Sequence, residues 1–327
     1  MKIRNFLLAA AACAVSIAAS AAPPGWTISE IGSFGTNISQ GNAVNNRGQV
    51  VGTSNKVILP FHWAGISRCL LWENGAMQDL GAPQGGDFCQ AMDITDRGTV
   101  VAWTGYGDQA FLWKDGTWTF AAPGLPVAIN KFDAIVGSYW NGSAHRGFYA
   151  RDGAMSEIGS LGGSITSATA LNDKGYVVGV ATVNDMLGIA HAFVWKDGVI
   201  NDLGTLPGME DSSATDINNH GVIVGYSTTT WNDRTGFIAD VTGGMRPLGI
   251  GGWSEPAAIN DRGAVVGRAN DKAFLYDNGT LTYLDDIPAV RAAGWTFLNP
   301  TDINDRGWIT GYGSRGTGLA GFVLIPK

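Results

Sequence analysis

The chain has 327 residues, 47 of them glycine and 12 tryptophan, with 21 basic and 28 acidic side chains and a formal net charge of −7. No stretch carries sustained helical periodicity, which excludes a helical bundle, and the composition is that of many short strands joined by turns. The sequence shows no basic patch of the kind a nucleic-acid footprint needs, and past the N-terminus no segment is long and apolar enough to span a bilayer as a helix.

The first element is a secretory leader. Lys2 and Arg4 form its charged region, Phe6 to Ala19 its apolar region, and Ala19-Ser20-Ala21 a small-residue cleavage site. The segment 1–21 is therefore expected to be removed, which takes the net charge from −7 to −9 with the loss of Lys2 and Arg4. A lipoprotein leader with Cys13 as the modified residue is the rival, but Ala10-Ala11-Ala12 lacks the usual bulky aliphatic residue. The expected location is secreted or periplasmic. Cys69 and Cys89 remain as an even pair in an oxidising compartment, and a disulfide is expected between them.

From residue 42 onward one phrase recurs seven times. Its clearest copy is Ala170-Leu171-Asn172-Asp173-Lys174-Gly175-Tyr176-Val177-Val178-Gly179, and its third residue falls at 45, 95, 130, 172, 218, 260 and 304. A period of 35 to 50 residues marks a solenoid, propeller or array. In the copy at 168–208, a short strand leads into an Asn-Asp-Lys-Gly turn and a second, β-branched strand. After a longer loop, His191-Ala192-Phe193-Val194-Trp195 forms a third strand, Lys196-Asp197-Gly198 a tight turn, and 199–204 a fourth strand. Four antiparallel strands make one propeller blade. The second copy has Thr95 in place of the asparagine, and the third lacks the turn glycine.

The last repeat ends one strand short, and Trp26 to Gly32 matches the missing strand. Pairing of the two termini would satisfy edges that an open array leaves exposed. The expected architecture is all-β: a seven-bladed β-propeller of four-stranded antiparallel blades, closed by the N-terminal strand 26–32. Residues 22–327 form one domain, with blades at about 42–81, 90–121, 127–159, 168–204, 214–249, 257–285 and 300–326 plus 26–32.

The phrase His191-Ala192-Phe193-Val194-Trp195, followed by Asp202-Leu203-Gly204-Thr205-Leu206 and combined with the Ile-Asn-x-x-Gly-x-Val-Val-Gly phrase, resembles the HAF-repeat extracellular proteins of bacteria. The resemblance covers nearly the whole chain after the leader. It implies secretion and a repeat fold, and no established activity.

Chemistry-bearing residues are dispersed. No Gly-x-Ser-x-Gly elbow occurs, and His62, His145, His191 and His220 lie in four different repeats. The Asn-Asp turns are too short and too basic to form calcium loops, so neither metal nor cofactor is expected. Asp285-Asp286 and Glu210-Asp211 are acidic pairs near loops. In each repeat the first-to-second and third-to-fourth turns are minimal and share one face, because strand direction alternates. The long loops on the opposite face concentrate aromatic and arginine residues: Trp63, Trp103, Trp140, Trp231, Trp253, Trp295, Arg68 and Arg146 are the candidate ligand contacts. Trp72, Trp113 and Trp195 recur inside the repeat phrase and read as core. The leading expectation is a secreted, monomeric, non-catalytic binding module for a glycan, peptide or envelope component. The alternatives are a secreted polysaccharide hydrolase or lyase using loop carboxylates and His62 or His145, and a structural envelope protein.

Overall fold

The computed structural model describes residues 25–56, 66–105, 108–229, 233–316 and 318–327. The leader, His62, Trp63 and Trp231 lie outside them. Five repeats each form a separate four-stranded sheet with strands in chain order. The repeat around Asn172 contains Thr166–Leu171, Val177–Asn184, Ile189–Lys196 and Val199–Gly204. All three of its pairings are antiparallel. The first repeat (Gly35–Val44 to Ala76–Gly81) and the last (Trp295–Ile303 to Gly318–Pro326) merge into one eight-stranded sheet through a parallel bridge, Ile38 to Leu319. Trp26–Glu30 lies antiparallel on the last strand, with Trp26 opposite Pro326 and Glu30 opposite Phe322. A short helix, Pro288–Ala292, sits between the sixth and seventh repeats, where the sequence suggested only a loop.

The repeat phrase gives each sheet the same interior. Every innermost strand carries a register shift just ahead of the Asn turn, as between Ala168 and Ala170. Opposite it lies the glycine that ends the Val-Val-Gly phrase in six repeats, and Ala102 in the second. A Cβ on Gly179 would come within 2.1 Å of the Ser167 carbonyl oxygen, so a side chain there would force the strands apart. The phenylalanine of the third strand fills the space between sheets, and Phe148, Phe193, Phe237, Phe274 and Phe322 are fully buried. Where the third copy lacks its turn glycine, Asp133 adopts φ +59° in its place, a conformation Asp tolerates better than most residues. Cys69 and Cys89 form a disulfide with a Cα separation of 5.1 Å, tying the first sheet to the second.

The asparagine of the phrase does two jobs. Within its own repeat, the Asn172 side-chain oxygen accepts from the amides of Lys174 and Tyr176, which shapes the turn. Its side-chain amide donates outward to the Asn218 carbonyl at 3.0 Å. Asn218 reaches Asn260, Asn260 reaches Asn304, and Asn304 returns to Asn45 at 2.8 Å. Asn45 donates to Thr95, and Asn130 to Asn172. The relay is broken between the second and third repeats, because Thr95 has no amide to give. There Arg97 crosses over and donates to the Lys131 carbonyl.

Thr95→Asn should complete the relay and raise the melting temperature, by about 1 kcal/mol for a neutral hydrogen bond. Asn218→Ala removes a donor and leaves two turn amides unpaired, and it should cost about 2–4 kcal/mol. Thermal unfolding of the two variants checks both; unchanged melting points would mean that the relay contributes nothing.

Candidate functional site

The long-loop expectation is met unevenly by the individual side chains. Trp295 is buried at 5% exposure with its ring 5.8 Å from Phe322, so it packs inside the protein. Trp103 is half-buried and packs edge-on against Phe88 at 5.0 Å. Trp253 is half-buried as well. Arg68 bridges to Asp79 at 3.2 Å, which holds two strands of its own sheet together. Arg146 donates to the Ser164 carbonyl at 2.7 Å and lies 3.5 Å from Glu157. Trp140 is 55% exposed, with the His145 ring packed on it at 5.1 Å. Tyr139 donates to Glu157, and burial together with that carboxylate pushes its hydroxyl above the usual range. His191 pairs across strands with Asp202 at 2.9 Å.

Trp140 opens a strip that runs over the third, fourth and fifth repeats. Arg146 binds the connection that carries Ser164. The Ser164 amide in turn donates to Asp185, at the base of a loop whose tip is Met186 and Leu187. Both tip residues are exposed, as is Ile165, which follows Ser164 in sequence. Leu187 then forms one wall of a cavity of about 500 Å³ between the fourth and fifth repeats. Opposite walls carry Glu210, Asp211, Tyr226 and Arg234. Arg234 is stacked over the Tyr226 ring at 4.4 Å and paired with Glu255.

The two acidic pairs singled out in the sequence differ here. Asp285 accepts from the amides of Ala273 and Leu298, and Asp286 is held by Lys272 and Arg291, so both are occupied in building the sixth-to-seventh connection. Asp211 accepts from the Ala190 amide at 2.8 Å. Glu210 is exposed at the cavity; its backbone amide donates to the Thr228 carbonyl, and its carboxylate has no partner among the described residues. One fixed and one free carboxylate on a single cavity wall is an arrangement suited to proton transfer.

The opposite, short-turn end holds a second cavity of about 490 Å³, which the sequence reading did not anticipate. It lies where the Asn turns converge, and Asp216 and Asp302 line it, with Asp93 at the equivalent position of the second repeat. Each of these carboxylates spans two repeats. Asp93 accepts from the amides of Ile94 and Ile129, Asp216 from Ile217 and Ile259, and Asp302 from Ile303 and Val44, at 2.7–2.8 Å. Their edges are solvent-accessible but protein surrounds them. Burial raises Asp93 to about 7, with Asp216 adding repulsion; burial raises Asp216 to about 6, and it lifts Asp302 well above the usual carboxylate range. The pattern was present in the sequence: the residue two before the asparagine is Asp at 93, 216 and 302 and Ala at 43, 128, 170 and 258. Among the described residues no group of three or more His, Cys, Asp or Glu side chains is placed to hold a metal ion.

No family model and no curated protein sequence matches the chain. Solved structures match its fold. Virginiamycin B lyase from Staphylococcus aureus is 15% identical, with a TM-score of 0.61 over 92% of this chain and 100% of the lyase. A structure of YCF48 bound to D1 peptide is 11% identical, with a TM-score of 0.56 over 95% and 99%. Pyrococcus horikoshii acylaminoacyl peptidase is 11% identical, with a TM-score of 0.57 over 88% of this chain, which spans about half (51%) of the peptidase. The fold is thus that of the β-propellers.

These matches correct one expectation. A chain without catalysis was inferred from dispersed histidines and the missing nucleophile elbow, yet a lyase and a peptidase carry the same architecture. The inference failed because a propeller gathers residues from different repeats onto one face, so distance along the chain does not argue against a shared site.

Asp93 and Asp216 keep protons in the folded state that the unfolded chain, with carboxylates near 3.9, has already released. Stability from these groups is therefore fully present below about pH 4 and is lost as pH rises through 6 to 7. Asp79 and Asp286, whose partners hold them below the usual range, stay ionised through that interval and contribute no slope. The melting temperature should rise as pH falls from about 8 to about 5, and Asp216→Ala should flatten the rise. A flat wild-type profile would refute it.

Proposed function

We propose that this chain is a secreted polysaccharide hydrolase or lyase built on a closed seven-bladed propeller, with its substrate lying along the strip from Trp140 to the cavity at Glu210. The observation that carries the reading is the unpartnered Glu210 carboxylate beside Asp211 on the wall of a cavity of about 500 Å³. The exposed Trp140 ring supplies a flat apolar face of the kind a sugar ring stacks on. Glu210, free to exchange protons with the cavity, is assigned general acid–base work, and Asp211, oriented by the Ala190 amide, holds or activates the second reacting group. His145 packs on Trp140 and is assigned to the platform.

The test is product formation on a panel of neutral and uronic-acid polysaccharides, read as new reducing ends and as the absorbance of unsaturated sugars. Glu210→Gln should lower kcat about a hundredfold or more with the melting temperature unchanged. Trp140→Ala should raise KM and leave kcat within a few-fold. No product from any polymer, or full activity in Glu210→Gln, would overturn the assignment.

Ring closure is supported by four bonds between the last repeat and the first: Thr301 donates to the Gly41 carbonyl, the Val44 amide to Asp302, Asn304 to the Asn45 carbonyl and the Asp305 amide to Asn46. A chain beginning at Phe34 would lack the strand that covers Gly318–Pro326 and should aggregate or melt far lower. An unchanged melting point and solubility would refute closure by the N-terminal strand.

A further inference from the structure

The third residue of each Asn turn is exposed, and it is a cation in five of the seven copies: Arg47, Arg97, Lys174, Arg262 and Arg306. The other two copies have His220 and Phe132, and Phe132 lies beneath Lys131 at 5.1 Å and Arg151 at 5.3 Å. A cation therefore recurs at this turn position in five of the seven repeats, a partial ring on the short-turn face of a chain that is acidic as a whole; of the five, Arg97 lines the short-turn cavity itself. A spacing of 35 to 50 residues conceals this ring from any reading of local charge.

Acidic residues also stand in these turns, one place earlier, but their oxygens are occupied. Asp96 accepts from the backbone and side-chain amides of Asn46, and Asp261 from those of Asn219. Asp305 accepts from the Asp261 amide and the Asn46 side chain, and Asp173 from the Lys131 amide and ammonium. Of the five cations, Arg97 is paired with Asp133 at 3.3 Å and the other four are not so engaged. Lys174, Arg262 and Arg306 have no acidic partner among the described residues, and Arg47 donates to the neutral Gln49. Arg306 is laid over the Trp308 ring at 4.3 Å, which fixes its direction without using its donors.

Two of these cations converge. Arg262 and Arg306 line a cavity of about 240 Å³ between the sixth and seventh repeats, with Asn260, Asn278, Asp277 and Trp26. Asp277 accepts from the Asn278 side chain. The space is that of about eight waters, enough for one sugar unit and too small for a folded partner. Two guanidinium groups offer forked donors to one planar anion, and Trp26 adds an aromatic wall.

We infer that the short-turn face is a docking surface for a polyanionic glycan, with the cavity between Arg262 and Arg306 holding one anionic sugar. This surface is separate from the strip on the opposite face and does not depend on catalysis there. A protein held on an anionic envelope polymer by one face leaves the other free for substrate.

The test uses the full secreted chain and immobilised polygalacturonate, with a sulfated glycan, neutral dextran and double-stranded DNA in parallel. Wild type should bind the carboxylated or the sulfated glycan, ignore dextran, and lose affinity as salt shortens the screening length from about 10 Å at 0.1 M to a few Å. Arg262→Glu with Arg306→Glu should weaken glycan binding at least about tenfold. Lys56→Glu with Arg246→Glu, the same charge change placed away from the ring, should weaken it less than about threefold. Arg262→Gln with Arg306→Gln keeps the side-chain stems and guards against misfolding, and it should show a comparable loss at an unchanged melting temperature. Equal losses in the ring and control variants would overturn the site, and DNA bound as tightly as the glycans would overturn the assignment to a glycan. Product formation in the ring variants should match wild type, so loss of binding and loss of catalysis are read separately.

Discussion

The structure depends on a buried asparagine that recurs in six of the seven repeats. Its oxygen closes a turn in its own sheet, and its amide crosses to the carbonyl of the next. A buried amide with its groups satisfied strengthens a fold, whereas the same group left unpaired weakens it by more. Each sheet therefore has its turn correctly formed only when its neighbour is in place. Hydrophobic packing between sheets would tolerate some sliding; directional bonds at a fixed depth do not. The relay sets the sheets at one height, so that turns far apart in sequence form a common rim and the loops of the other face form a common surface.

Much of this was legible in the sequence. Strand boundaries, the Asn turn, the Asp-Gly hairpins and the Cys69–Cys89 pair follow from local chemistry and even counting, and local chemistry is visible one residue at a time. Burial is harder to read. Trp295 looked like Trp140, since both read as long-loop residues, but Trp295 opens a strand and points inward at Phe322 while Trp140 ends one and points out. The difference lies in the direction of a side chain at one register position, which residue type does not encode. Glu210 and Asp285 were likewise indistinguishable as members of acidic pairs; what separates them is whether amides from other strands arrive at their oxygens.

The basic ring and the raised carboxylates were missed for another reason. Both are defined by recurrence at one position across repeats, and neither shows in any short window. Aligning the seven copies on their asparagine reveals them at once: cations two places after it, and Asp alternating with Ala two places before it. A repeat protein is better read down its aligned columns than along its chain, because the fold brings each column together in space.

The Asp column also has an arithmetic of its own. The bulge in each innermost strand turns one backbone amide away from its partner strand and toward the central cavity, and every such amide needs an acceptor. A carboxylate has two oxygens, so one Asp serves its own repeat and the next, and the next repeat can then carry Ala. Asp93 covers the second and third repeats, Asp216 the fifth and sixth, and Asp302 the seventh and first. Three carboxylates reach six amides, and a seventh remains because seven is odd. That amide belongs to Leu171 of the fourth repeat, whose own copy has Ala170 and which follows Ala128 of the third. A fourth Asp at 170 would serve Leu171, but its second oxygen would compete with Asp216 for the Ile217 amide and add a like charge to three acids already raised by burial. The alternation of Asp and Ala is thus a packing of two-oxygen acceptors onto an odd set of donors.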